Sequence, residues 1–400
     1  MIATVERTAP AHDADAPMRP NTVEADDLKR AVSLLKTMPP ARGKQIVSGQ
    51  EHITETVVIH VSLDERRLVF NAWDRDGNDC SIYIPTLMDL HHRRWEDWAV
   101  GKADLFGAVN AIPPNTTPTV SLTDDSIVFT TTGGRIPVPM KKVKDGDYPD
   151  RPHMAQNWVQ ISVSDLREML GRTIPFAAPG DNGHALNGIH LTVQSSKMTL
   201  VSCDTHRLGL DTCFAKHVIP IAGCTLPVPL AKLIVAATKR YVSSPVTLAS
   251  SETRLWAVGQ GWGVSGRLID GRYPRYSDVI PDPRSCRSRA EVSALAMFTA
   301  VKAAARFAED TPEEGPTVFV QWGAGGLTVA PNERRENVFP VPGEFSGEPG
   351  GEWFSARQLL EMLSVVPINE IVLHASQPGG PLRLDAGDYL HLLMPDKRRR

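Results

Sequence analysis

LAKLIVAA at 230–237 places Leu230, Leu233, Ile234 and Ala237 at i, i+3, i+4 and i+7. That spacing forms one apolar stripe on an α-helix, the face a helix buries against a sheet. LFGAVNAI at 105–112 repeats it with Leu105, Ala108, Val109 and Ile112, and ARQLLEML at 356–363 with Ala356, Leu359, Leu360 and Leu363. The three stretches start 125 and 126 residues apart (230 less 105, 356 less 230). A second stripe precedes each of them: Leu28, Ala31, Val32, Leu35; then Leu166, Met169, Leu170 with Thr173; then Met297, Ala300, Val301, Ala304. One such stripe is ordinary in globular protein. Six in a fixed alternating order point to a period the size of a small domain, far longer than a solenoid repeat. The chain reads as three copies of one fold.

Around the helices the pattern changes to period two. Val57, Ile59, Val61 and Leu63 share a strand face, as do Leu68, Phe70 and Ala72, and Gly133-Gly134 marks a hairpin. In the second copy, Ile161 and Val163 read as a short strand and Ser164 as the N-cap of the next helix. Ile189, Leu191 and Val193 alternate before a Ser195-Ser196 turn. In the third, Thr317 to Gln321 and Leu327 to Ala330 flank a Gly-rich turn. Polar, proline-bearing stretches at 145–154 and 281–289 read as linkers. The expected organisation is a flexible tail at 1–20 and domains at 21–150, 151–283 and 284–400. Each domain combines antiparallel sheet with two helices, an α+β architecture.

The 400 residues carry a net charge of −3, so gross positive charge is not the means of holding nucleic acid. Five cysteines without a C-x-x-C pair argue against a disulfide framework or structural zinc and for a reducing cytosol. No apolar run reaches the ~20 residues a membrane span needs. The expectation is a soluble cytoplasmic protein without cofactor or metal.

Four segments, LNGI at 186–189, CDTHRLGL at 203–210, GRLIDGRYPRYSDVIP at 266–281 and LLMP at 392–395, resemble the bacterial sliding clamp, the β subunit of DNA polymerase III. With the threefold repeat, they let residues from about 22 to 397 be laid on the family pattern. The resemblance implies a head-to-tail homodimer forming a closed ring around duplex DNA. It implies a tether for the replicative polymerase, the clamp loader and repair polymerases rather than an enzyme. Partner peptides would enter a groove between domains two and three. Its wall, carried over residue by residue, is Leu186, Cys203, Thr205, His206, Arg207, Leu208, Pro274, Asp278, Val279, Leu392, Leu393, Met394, Pro395 and Asp396. A buried role within their own domains competes for Leu208 and Leu393. Arg42, Lys29, Arg172 and Lys239 are the DNA-facing candidates, among basic groups spread thinly over the helices that also include Arg357.

Three positions depart from the family pattern: Thr205 replaces a common glycine, Asp278 a common arginine, and Asp396 an apolar residue. Carboxylates at the rim of an apolar groove disfavour acidic peptides. This leaves open a specialised second clamp, insensitive to a groove-binding inhibitor or carried by a mobile element. A non-clamp binding scaffold also remains open. An enzyme built on Cys203, Asp204 and His206 reads poorly, because no second His/Cys cluster and no Walker, GxSxG or HExxH motif accompanies them.

Overall fold

A computed structural model describes residues 22–38, 55–62, 67–74, 77–85, 97–144, 154–180, 184–221, 223–242, 245–308, 315–324, 326–331 and 337–396. The tail at 1–20, Arg42 and nearly all of the 145–154 linker lie outside them.

The elements fall into three runs of one pattern. The first is α1 (Ala25–Leu35), β1 (Thr56–Ser62), β2 (Arg67–Trp73), β3 (Asp79–Pro85), β4 (Trp98–Gly101), α2 (Lys102–Ala111), β5 (Thr119–Leu122), β6 (Ser126–Thr131) and β7 (Gly134–Lys142). A single bridge between Thr22 and Thr119 stands where the later runs begin with a strand. The second run is β8 (Trp158–Ile161), α3 (Val163–Thr173), β9 (Gly188–Gln194), β10 (Lys197–Cys203), β11 (Arg207–Phe214), β12 (Cys224–Pro227), α4 (Val228–Arg240), β13 (Val246–Ser250), β14 (Arg254–Gly259) and β15 (Trp262–Arg267). The third is β16 (Ser288–Ser293), α5 (Ala294–Ala304), β17 (Thr317–Gly323), β18 (Gly326–Ala330), β19 (Phe339–Gly347), β20 (Gly350–Ser355), α6 (Ala356–Ser364), β21 (Glu370–Ala375), β22 (Leu382–Ala386) and β23 (Tyr389–Leu393).

Every apolar stripe residue read from the sequence is buried except Leu360, which is only partly covered. Met362 takes the buried place in α6. The two helices of each run pack on one another, α1 on α2, α3 on α4 and α5 on α6. Two local readings shift. Val163 opens α3 instead of ending a strand, and the N-cap is Ser162, whose hydroxyl accepts the Asp165 N–H at 3.0 Å. Ser164 is already helical and bonds the Ser162 hydroxyl at 2.9 Å, because a cap must sit one residue before the first helical φ/ψ. The first hairpin turn is Thr132-Gly133, one residue before the expected Gly133-Gly134, because Gly134 already opens β7; the second falls where expected. Thr131 pairs with Gly134 and Gln194 with Lys197, leaving Ser195-Ser196 as a two-residue turn with Ser195 at φ 56°.

The chain forms two compact units, Met1–Asp74 with Ser81–Asp150, and Arg75–Cys80 with Arg151–Arg400. In the first, the strand order is β5-β6-β7-β4-β1-β2-β3. In the second, one sheet of twelve strands runs β12-β9-β10-β11-β23-β22-β21-β16-β19-β18-β17-β20. All assigned pairings within each unit are antiparallel. The second and third runs are thus joined edge to edge through β11 and β23, with Arg207 opposite Leu393 and Asp211 opposite Tyr389.

Candidate functional site

The junction of β11 and β23 builds the site. Cys203 ends β10, and the chain reverses over Asp204-Thr205-His206 before Arg207 starts β11. The Asp204 carboxylate closes that turn by accepting the His206 N–H at 2.8 Å and the Arg207 N–H at 2.9 Å. A short aspartate suits this, since its side chain reaches backbone two and three residues on. Arg207 then threads the seam. Its Nε donates to Asp204 at 3.0 Å, one terminal nitrogen donates to Glu361 on α6, and the other donates to the Pro175 carbonyl at 3.3 Å. Burial works against its charge, but the Glu361 and Asp204 bonds outweigh it and raise its pKa.

Phe176 lies beneath the guanidinium, whose centre is 5.3 Å from the ring. It follows the C-terminus of α3, is fully buried, and meets His391 edge-on at 4.4 Å. Gly209 makes room for it, since a Cβ there would run into the Phe176 ring. On the other side the Met394 N–H donates to the His206 carbonyl at 2.8 Å, and the Asp396 N–H to the Trp353 carbonyl at 2.7 Å. The terminal strand is thereby held against both runs.

Between these elements opens a cavity of about 740 Å³. That volume is within the range of ligand and peptide pockets. Of the residues expected to wall a peptide groove, Thr205, His206, Arg207, Met394, Pro395 and Asp396 line it. So do Pro175, Ala177, Pro179, Asp204, Ser355, Arg357 and Gln358, which were not among them. Leu186, Cys203, Leu208 and Leu392 gather beside it in an apolar cluster around Tyr273. The Cys203 thiol lies 3.3 Å from the Tyr273 hydroxyl, and the Tyr273 ring stacks on His190 at 4.7 Å.

Other expected wall residues are elsewhere. Leu393 is fully buried in the core of the third run, whereas Leu392, on the other face of β23, joins the Tyr273 cluster. Leu208 and Leu392 are buried together in that cluster and do not line the cavity. Pro274, Asp278 and Val279 are exposed and do not line the cavity; Asp278 and Val279 sit on a short 3-10 turn, Tyr276–Val279. Phe176, Tyr273 and Glu361 escaped the sequence reading. Tyr273 stood inside a matched segment, but Phe176 and Glu361 act across the junction and carry no local signal.

The DNA-facing candidates also divide. Lys29 is half-buried on α1, and Lys239 is exposed on the last turn of α4. Arg172 is committed to a structural role. Its Nε is 2.5 Å from the Asp211 carboxylate, which is 2 % exposed, and it also reaches Glu168 at 3.2 Å. Burial nonetheless raises the Asp211 pKa against the pull of Arg172. Arg172 is therefore not an available phosphate ligand. Arg357, counted with the helix-surface cations, lines the cavity instead.

The Cys203-Asp204-His206 constellation carries no activated thiolate. Burial raises the Cys203 thiol pKa, the opposite of an activated thiolate, and Asp204 is engaged by the turn and Arg207. Among the described residues no group of three or more His, Cys, Asp or Glu is placed to hold a metal, and no helix is long and apolar enough to cross a membrane.

Residues 160–275 match the family model for the DNA polymerase III beta subunit, central domain. The chain is 25 % identical to the beta sliding clamp of Synechococcus elongatus, over 90 % of this chain and 93 % of that one. It is 24 % identical to the beta sliding clamp of Treponema pallidum, over 73 % and 79 %. Among solved structures, it superposes on the sliding clamp from Pseudomonas aeruginosa bound to griselimycin with a TM-score of 0.80 at 16 % identity, covering 95 % of this chain and 100 % of that one. For the DNA polymerase III beta subunit from Thermotoga maritima the TM-score is 0.77 at 17 % identity, covering 94 % and 99 %. These likenesses support the clamp reading and lend nothing to a specialised paralogue or a non-clamp scaffold.

Proposed function

We infer, from a chain that belongs to the bacterial β sliding-clamp family, that it acts as a DNA sliding clamp, a ring-shaped homodimer that encircles duplex DNA and tethers a polymerase to it. The observation that carries this reading is the β11·β23 junction. It joins the third strand after the first helix of one run to the last strand of the next, a heterologous contact. Repeated head to tail, such a contact closes a ring if the rotation closes. The division at 21–150, 151–283 and 284–400 follows from the same repetition. The clamp contributes topology and no catalysis of its own, so it is a processivity factor without a catalytic site.

A near-neutral body suits sliding, because each phosphate ion pair adds salt-sensitive affinity and fixes position. Lys29, Lys239 and Arg42 remain the candidates for loose contact with the duplex. The cavity beside His206, Arg207, Met394 and Pro395 is the place for short peptides from the polymerase, the clamp loader and repair polymerases. It sets the Met394 thioether, Ala177 and three prolines against a polar majority that includes His206, Arg207, Arg357 and Asp396, groups that can bond a peptide's backbone and polar anchors.

Light scattering should give a mass of about 88 kDa, twice 43.8 kDa. After loading, the protein should stay on circular DNA and run off once that DNA is linearised. Equal retention on both forms would mean binding by affinity, and the ring would be wrong.

A further inference from the structure

Two strands with an open side carry the same tripeptide. β7 contains Pro137-Val138-Pro139 and β19 contains Pro340-Val341-Pro342. Over residues 134–139, β7 pairs only with β6, and over 339–342, β19 pairs only with β18, among the described residues. All four prolines are exposed.

The lateral direction of backbone groups alternates along a strand, which fixes where those prolines point. In β7 the Met140 N–H donates to the Asp125 carbonyl on the β6 side at 2.8 Å. Ile136 and Val138 share that phase and address β6, so Pro137 and Pro139 address the open side. In β19 the backbone of Gly326 on β18 faces Val341 and Gly343: a Cβ on Gly326 would lie 2.5 Å from the Val341 oxygen and 2.7 Å from the Gly343 nitrogen. Pro340 and Pro342 are in the other phase and again address the open side. Proline has no N–H, so each of these edges offers carbonyls with no donor between them.

The chain contains its own example of an edge in use. β11 meets β23 over five successive residue pairs, and neither strand has a proline. The strands in the corresponding places at the two ends of the chain are β19 and β7. Resting on the ring reading, we propose that the seam between two copies, β19 of one against β7 of the other, is not a continued backbone ladder. Side chains alone hold it, and it opens more readily than the junction inside the chain. Apolar groups for that purpose stand beside β19. Phe307 is 57 % exposed and stacks on Phe339 at 6.0 Å, and Val338 is 42 % exposed. Ile136 on β7 is half-buried.

Sedimentation equilibrium of the full chain tests this with two variants. The first combines Pro137→Ser, Pro139→Ser, Pro340→Ser and Pro342→Ser; it restores four donors and should tighten the dimer at least tenfold. Amide exchange should then show the new N–H groups at positions 137 and 139 protected in the dimer and open in the monomer. Phe307→Ser, with the prolines kept, should weaken the dimer at least tenfold. A dimer whose Kd neither variant moves would overturn the side-chain seam and leave the ring reading standing. Monomers at every concentration, for the wild type and the four-serine chain alike, would overturn the homodimer and this seam with it.

Discussion

Acidification should loosen the β11·β23 junction through one histidine. His391 is fully buried opposite Gly209, under Phe176, with Nδ1 3.2 Å from the Tyr389 hydroxyl and no partner for Nε2. Burial, aided by the nearby Arg207 charge, lowers its pKa from 6.5 to about 3. The folded chain therefore refuses a proton that the unfolded chain takes up near 6.5. For a histidine whose folded pKa is depressed, the stability present above the unfolded value is lost as pH falls from 6.5 toward 3. Between pH 7 and pH 5 the unfolded state gains about 0.7 of a proton and the folded state almost none, which costs about 2 kcal/mol. That is a large share of the ~5–15 kcal/mol that holds a typical domain. Urea unfolding followed by circular dichroism at half-unit steps from pH 7.5 to 5 measures it. His391→Phe keeps an aromatic ring against Phe176 and removes the titration, so its stability should fall about 2 kcal/mol less over the same window. His190, also lowered by burial, contributes equally to both proteins. Asp385, whose pKa its His374 and Arg383 bonds pull below 3.8 against burial, loses its stabilising effect only below this window. Identical slopes for wild type and His391→Phe would refute the assignment.

Gly209→Ala should destabilise the junction by about 1–3 kcal/mol, because the new methyl group overlaps the Phe176 ring; the melting temperature reads it, and an unchanged value would show that the ring can move aside. Arg172→Ala should cost about 3 kcal/mol of stability by leaving the buried Asp211 carboxylate unpaired, whereas Lys239→Ala should leave stability alone and, with Lys29→Ala, reduce loading on DNA. Asp396→Met should tighten a polymerase-type peptide about tenfold, ~1.4 kcal/mol, by calorimetric titration, since Asp396 lines the cavity. Asp278→Arg alone should do little, because Asp278 stands off the cavity; the reverse ranking would relocate the groove.

Local order is legible in the sequence. The apolar stripes buried the residues that helical spacing requires, and the two-residue Ser195-Ser196 turn fell where alternation breaks. Such features depend on neighbours within a turn or a hairpin, so the sequence states them directly. The site was legible only in part. Thr205, His206, Arg207, Met394, Pro395 and Asp396 converge on one cavity, whereas Leu393 turns into the core and Arg172 to Asp211.

The sequence by itself determined the threefold pattern, the α+β class and the apolar faces, because periodicity specifies which side of an element leaves water. Tertiary structure alone decided which charges are free and which strands have neighbours. Arg207 draws its partners from 204, 175 and 361, and the two PVP stretches become significant only once one side of each is found open among the described residues. Those outcomes depend on tertiary packing, which brings Glu361 to Arg207 across 154 residues, and no local spacing records it.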